Sequence, residues 1–163
     1  MFQSKLKRLS TNLLLATVLC FSGLAAQAAS MTDYLETALI NHVFRGTAYT
    51  APSNLYISLH TAACSDSSTG TEVTGGSYAR VAVAAGTGTW AATSSGNGTT
   101  SNVSVITFTT PTAGWLTVTH FGIFDASTSG NQLVCAALTT SKTINSGDTV
   151  TFPASSLTFQ IDN

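Results

Sequence analysis

The chain has 163 residues, which suits one domain, and only 8% of them are charged, against about 25% in an average globular protein. Its apolar fraction of 44% excludes intrinsic disorder, and its formal net charge of −1 gives no basic surface for nucleic acid. Thr, Ser, Ala and Gly are abundant, as in secreted and virion β proteins.

The first 28 residues have the pattern of a secretory signal peptide. A basic start precedes the apolar run Leu13 to Ala26, and small residues lead up to Ala28. A membrane anchor is the alternative, but the run is shorter than the about 20 residues that a span needs. We therefore predict cleavage after Ala28, export to the periplasm or the extracellular space, and a single domain over residues 29–163 without a membrane span.

Cleavage would leave three cations, Arg45, Arg80 and Lys142, against all seven acids, so the net charge becomes 3 − 7 = −4. This charge argues against nucleic acid and anionic membranes as partners. Two cysteines also remain, Cys64 and Cys135, and an oxidising compartment allows them to form one disulfide. Two separately buried thiols are the alternative, because Cys135 lies in an apolar strand.

Residues 32–45 are predicted as the one helix, with Thr32 or Asp33 at its N-terminus. Its apolar residues fall at helical spacing and form one stripe. This stripe packs either on the domain itself or on a neighbouring subunit, and its members are the candidate oligomer contacts: Leu35, Leu39, Ile40 and Val43.

Seven or eight short strands with frequent turn signals follow the helix. The centre is a hairpin in which strands 115–124 and 132–138 flank a loop at 125–131. The other predicted strands cover 54–61, 78–84, 87–92, 103–108, 141–144 (continuing the hairpin), 150–152 and 157–161. In strand 54–61, Tyr56, Ser58 and His60 are predicted to face outward. The pattern predicts an all-β fold, a single jelly-roll-like β-sandwich with one short N-terminal helix.

The three histidines, His42, His60 and His120, do not pair at metal-ligand spacing, and no Cys-x-x-Cys motif is present. A triad of His120, Asp125 and a serine would lack the Gly-x-Ser-x-Gly elbow. Because His120 would share one face of its strand with Leu116 and Val118, we interpret it as a core or interface residue. We expect no catalytic residue, cofactor or metal.

The segment Gly75-Gly76-Ser77-Tyr78-Ala79-Arg80 combines two glycines with a rare cation. The glycines permit a sharp entry into a strand, and the arginine needs a carboxylate or carbonyl partner. We predict that Gly75, Gly76, Tyr78 and Arg80 form a structural clamp, with ligand contact as the alternative.

Six ordered motifs then carry a resemblance. They include Gly-Thr-Ala-Tyr-Thr-Ala-Pro, Leu-Tyr-Ile-Ser-Leu-His-Thr, Thr-His-Phe-Gly-Ile-Phe-Asp-Ala and Asn-Ser-Gly-Asp-Thr-Val. From Met31 onward the chain resembles small tailed-phage proteins described as tail fibre or minor virion proteins. The resemblance implies a β-rich virion subunit that works by assembly, and it supplies no catalytic residues. Proteins of this sort start near the position of Met31, so the predicted signal peptide is a departure from their pattern.

The sequence therefore favours a non-enzymatic, exported structural subunit that forms a homo-oligomer or contacts virion or filament neighbours. The alternative is a secreted carbohydrate-binding or adhesin-like module. In that case exposed Tyr56, exposed Trp90 and the long loops would bind a glycan.

Overall fold

The computed structural model describes Leu24, residues 30–93 and residues 98–161. Apart from Leu24, the predicted signal peptide lies outside the described residues. The elements are, in chain order, β1 (Ser30–Met31), α1 (Asp33–Phe44), β2 (Asn54–Ala62), β3 (Thr71–Glu72), β4 (Val81–Ala84), β5 (Thr99–Ser101), β6 (Ile106–Thr107), β7 (Leu116–Phe124), β8 (Gln132–Ile144), β9 (Thr151–Phe152) and β10 (Thr158–Gln160).

The main sheet is antiparallel and has six strands in the order β1-β8-β7-β2-β3, with β4 also pairing with β2. The predicted central hairpin is β7 and β8, and it lies in the middle of this order. Strand β7 pairs with β2 from Tyr56↔Phe124 to His60↔His120. Two smaller antiparallel pairs, β5 with β10 and β6 with β9, complete the strands of the described region.

The apolar core joins the main sheet to the smaller strand pairs. Phe121 of β7 meets Phe152 of β9 edge to face, with ring centroids 5.7 Å apart, and both side chains are fully buried. Phe108 and Trp115 extend this cluster, with their own rings 6.3 Å apart. Aromatic pairs of this kind add about 0.5–1.5 kcal/mol each beyond their burial. The sandwich-like all-β fold with one short helix is thus confirmed.

The helix begins close to its predicted N-terminus. Thr32 precedes α1, but its hydroxyl does not cap the helix. Instead Thr32 Oγ1 donates to Gln132 O at 2.5 Å, and Thr32 N donates to Leu133 O. The start of the helix is therefore fixed to β8 of the main sheet.

The prediction that Tyr56, Ser58 and His60 of β2 face outward is wrong. Ser58 and His60 are fully buried, and Tyr56 is half-buried. The polar face of this strand is covered because the chain from Cys64 onward folds back over it and because Arg80 packs across Phe124 beside it. The alternation of polar and apolar residues along β2 does not show that other segments of the chain cover its polar side.

Two predicted strands are also altered. Residues 87–92 contribute only a single bridge, Trp90↔Asn102, and the predicted strand at 103–108 is reduced to β6. At residues 103–105 the cause is the buried Asn102 side chain, whose Nδ2 donates to Ser104 O and Pro153 O while its Oδ1 accepts from Leu157 N. These bonds hold the backbone in an irregular turn between β5 and β6.

The early part of β7 departs from simple alternation. Val118 pairs with Lys142 but His120 pairs with Ala137, so β8 has extra residues opposite this point. Leu116 has a positive φ of 64° and is 71% exposed, whereas Val118 is fully buried. The bulge therefore breaks the shared face on which the interpretation of His120 depended, and His120 is half-buried.

Leu24 packs in the core although it lies far upstream of the first strand. It is only 4% exposed, and its N–H donates to Thr151 O at 2.8 Å. This residue of the predicted leader thus contacts the β6–β9 side of the core.

Candidate functional site

An arginine–carboxylate pair holds together the surface beside β2. Arg80 Nε and Nη2 donate to Glu72 Oε1 at 2.9 Å and Oε2 at 2.7 Å. Arg80 Nη1 donates to Ala126 O at 2.9 Å and Ser129 O at 2.8 Å. The guanidinium carbon lies 3.5 Å from the centre of the Phe124 ring. All three guanidinium nitrogens of Arg80 therefore donate hydrogen bonds, and the side chain connects β3 to the β7–β8 loop.

Tyr78 adds a third polar group to this pair. Its hydroxyl donates to Glu72 Oε1 at 2.9 Å and accepts from Leu59 N at 2.9 Å. Its ring meets Trp115 edge to face at 5.2 Å. Tyr78 thus joins the ion pair to both β2 and the aromatic core.

The two glycines shape the approach to Tyr78. Both have positive φ, 73° at Gly75 and 54° at Gly76. Gly76 O accepts from Trp115 Nε1 at 3.0 Å, and a Cβ on Gly76 would lie only 2.8 Å from Ala113 O. A side chain at Gly76 would therefore displace the backbone, while Gly75 has open space.

The electrostatics of the group favour one protonation state. Burial alone would raise the pKa of Glu72, but the hydrogen bonds from Arg80 and Tyr78 together with the nearby charge of Arg80 lower it overall. Burial raises the pKa of Tyr78 far above its usual range. Glu72 is thus an anion, and Tyr78 is a neutral hydrogen-bond donor to it.

Ser58 and His60 lie next to this group in the buried polar layer. Ser58 Oγ is 2.8 Å from His60 Nε2 and donates to Gly122 O at 3.1 Å. Gly122 leaves the necessary space, because a Cβ there would lie 2.8 Å from both Ser58 Oγ and Gln132 Nε2. The Ser58 hydroxyl and the His60 ring are as close as a nucleophile and its base, and both side chains are fully buried.

Cys64 and Cys135 form a disulfide with a Cα–Cα distance of 6.0 Å. Both are buried, and Cys135 lies in β8 opposite Gly122 of β7. The disulfide therefore fixes the chain after β2 to the middle of the main sheet. The alternative of two separate thiols is excluded in this structure.

Acid is expected to destabilise the protein through His60. Burial lowers the pKa of His60 to about 4, with Arg80 and His120 also lowering it and Glu72 opposing. Between pH 6.5 and 4, the folded chain therefore keeps His60 neutral while the unfolded chain protonates it. The contribution of this difference to the free energy of unfolding is fully present above pH 6.5 and is lost as pH falls towards 4, by about 3 kcal/mol in total.

Urea unfolding at several pH values measures this loss. The variant His60→Gln should show a much smaller decrease between pH 7 and 4.5, whatever its stability at neutral pH. His42→Gln changes an exposed histidine and should keep the wild-type slope. Equal slopes in the wild type and His60→Gln would show that another group controls the acid response.

The predicted oligomer contacts divide between two sides of α1. Leu35 packs against the core and Leu39 is half-buried, whereas Ile40 is 54% and Val43 66% exposed. Phe44, which the sequence analysis did not select, is 77% exposed. We call Ile40, Val43 and Phe44 the outer helix face.

The triad of His120, Asp125 and a serine is not assembled. Asp125 accepts from Asn131 N at 2.7 Å and from Asn131 Nδ2 at 2.8 Å, while His120 Nδ1 lies 2.8 Å from Thr119 Oγ1. Within residues 30–93 and 98–161, no three His, Cys, Asp or Glu side chains are grouped closely enough to hold a metal ion. In the same part of the chain, no helix has the length and apolar character to cross a membrane.

Three features of the site were not predicted: the Glu72 partner, the Ser58–His60 contact and the exposure of Phe44. Glu72 could have been found, since it is one of few acids and lies eight positions before Arg80.

The aromatic residues proposed for a glycan, Tyr56 and Trp90, are both half-buried, and the Trp90 indole packs against the core. They do not form an exposed binding surface.

Comparison with known proteins identifies the family. No curated protein matches the chain. A family model for the podophage GP4 fiber I protein gp80 matches residues 30–160, which include every strand and the helix described above. The chain therefore belongs to this phage fibre family.

Proposed function

We propose that the protein is a non-enzymatic structural subunit of the fibre type that works by self-assembly, and that it is exported after cleavage behind Ala28. Membership of a phage fibre family supports a virion structural protein in general. The observation that carries the self-assembly proposal is the outer helix face, where three large apolar side chains are more than half exposed on one short helix.

The geometry of α1 supports a contact with a neighbouring subunit. No residue of the helix is fully buried by its own domain, and Leu35 already supplies the packing against the core. Ile40, Val43 and Phe44 stand at spacings of three and four residues, so they form one continuous surface. Burying such side chains in an interface would give about 1.5–3 kcal/mol each.

Native mass spectrometry of the protein expressed from Met1 tests the proposal. The expected result is an oligomer whose subunit mass shows loss of residues 1–28 and the two-hydrogen deficit of the disulfide. Val43→Ser with Phe44→Ser should convert the oligomer to a folded monomer. Leu116→Ser, which changes an equally exposed leucine outside the helix, should leave the oligomer unchanged.

Each part of the proposal has its own contrary outcome. An uncut chain in the exported fraction would reject the cleavage, and the same oligomer in the double serine variant would reject the outer helix face as the contact. A wild-type protein that is monomeric at all concentrations would reject self-assembly itself.

A further inference from the structure

Strand β4 is the longest edge strand of the main sheet. It has four residues, against two each in β1 and β3, and within the described part of the chain it pairs only with β2. Just beyond the strand, Ala85 N donates to Ser53 O at 3.0 Å. Because hydrogen-bonded and non-hydrogen-bonded pairs alternate along an antiparallel ladder, the backbone N–H and C=O groups of Ala82 and Ala84 point away from β2.

These outward backbone groups are largely unused. Ala84 O accepts from Thr89 Oγ1, but no residue of the described chain hydrogen-bonds to the backbone N–H or C=O of Ala82. Both alanine side chains are exposed and small, so they do not obstruct an approaching chain. A row of backbone donors and acceptors at a sheet edge is matched by an extended strand of another chain.

A groove of about 260 Å³ runs along this edge, between β4 and residues 104–107. Val81 and Val83 line one side of it, and Val105, which is 58% exposed, lines the other. No charged side chain of the described chain lines this groove. Soluble proteins commonly protect an edge strand with a lysine, a proline or a bulge, and β4, which reads Val-Ala-Val-Ala in unbroken register with β2, has none of these.

The edge is complementary to a second copy of itself. When two β4 strands lie antiparallel with Ala82 opposite Ala82, these two residues exchange both backbone hydrogen bonds. Opposed side chains share a face, so Val81 of one copy meets Val83 of the other on the side of the groove. The uncharged lining means that two copies bring no like charges together there. We propose that β4 pairs with β4 of a second copy and continues the main sheet into the next subunit.

This contact is the weaker of two in the assembly. An edge of four residues buries much less than the about 1,000 Å² that a stable interface needs. It lies across the main sheet from β1 and β8, which α1 contacts, so one subunit can use the β4 edge and the outer helix face with different neighbours. The inference rests on the proposed self-assembly: the helix contact holds the oligomer in dilute solution, and β4 pairing joins these oligomers as the protein concentration rises.

Cysteine cross-linking of the concentrated full chain tests the register. Ala82→Cys should form a covalent dimer under mild oxidation, because the Cα atoms of an opposed hydrogen-bonded pair lie about 5.5 Å apart, within the range of a disulfide. Ala84→Cys is the matched control, since its two copies would lie about 14 Å apart in this register. It should cross-link at least about tenfold more slowly. Peptide mapping should show the link at position 82 with the Cys64–Cys135 disulfide intact.

A pair of charged variants separates strand pairing from a local folding defect. Ala82→Lys and Ala82→Glu should each abolish the concentration-dependent association that sedimentation velocity measures for the wild type, because like charges then stand directly opposite each other. An equal mixture of the two variants should restore the association, because opposite charges then meet. A variant that associates poorly through damage to its own fold would not recover on mixing.

Three results would overturn β4 pairing: no cross-link at position 82, equal cross-linking of the two cysteine variants, or no recovery in the mixture of the two charged variants. Native mass spectrometry in dilute solution separates this contact from the outer helix face. A dilute oligomer without the link at position 82 rejects only the β4 contact. The link at position 82 in a protein that is monomeric when dilute rejects only the helix contact.

Discussion

Replacing Arg80 by alanine is expected to lower the free energy of unfolding by about 3–5 kcal/mol, the usual cost of removing one partner of a buried ion pair. Arg80 is 8% exposed and Glu72 25% exposed at their side chains. The change would leave the Glu72 carboxylate without its cation and the carbonyls of Ala126 and Ser129 without their donor. Urea unfolding of the oxidised protein at pH 7 measures the loss.

Two further variants make the result specific. Arg45→Ala removes an exposed arginine at the end of α1 and should change stability by less than about 0.5 kcal/mol. Glu72→Leu combined with Arg80→Met removes both charges and should cost clearly less than the sum of the single replacements, because no charge is left unpaired. If Arg80→Ala is as mild as Arg45→Ala, the group is not a structural clamp, and its ligand-binding alternative gains weight.

Replacing both Cys64 and Cys135 by alanine is expected to lower the free energy of unfolding by about 4 kcal/mol in the chain-entropy model. The physical reason is the separation of 71 positions that the disulfide closes, which restricts the unfolded chain strongly. The loss should appear as a lower urea midpoint in non-reducing buffer.

Reductant provides the matched control for the disulfide. Dithiothreitol should lower the wild-type midpoint towards that of the double alanine variant and should leave the variant itself unchanged. A wild-type midpoint that does not respond, in a sample whose reduction is verified by thiol titration, would mean that the disulfide contributes little to stability.

The sequence was most informative where the physical signal is local. The helix was predictable because Leu35, Leu39 and Val43 repeat at helical spacing, and the central hairpin because turn residues at 125–131 separate two β-rich runs. The disulfide remained one of two alternatives, since only the fold brings the Cα atoms of Cys64 and Cys135 within 6.0 Å.

The features that escaped prediction depend on contacts between distant segments. Ser58 and His60 alternate like solvent-facing residues, but the covering chain is fixed by a disulfide and an ion pair that a strand pattern does not encode. Asn102 stands just before the predicted strand 103–108, yet its amide donates to Pro153 O, 51 positions away, and thereby interrupts that strand.

In the candidate site, too, local patterns were predictable, whereas contacts between distant segments were not. A lone arginine after two glycines predicted a carboxylate or carbonyl partner, and Arg80 has both kinds, but the pattern could not choose Glu72. The apolar stripe of α1 predicted a buried face without deciding which residues turn inward. Leu35 does so, and Phe44 extends the side that remains exposed.

The place of Leu24 in the core links maturation of the chain to its packing. If a peptidase cuts after Ala28, it removes a leucine that is 4% exposed before cleavage, together with its hydrogen bond to Thr151. The precursor would then fold with Leu24 in the core, and the processed chain would fold without a side chain at that position beside β9. The core of a chain that keeps its leader would be the better packed of the two, so cleavage would release the chain and remove this packing.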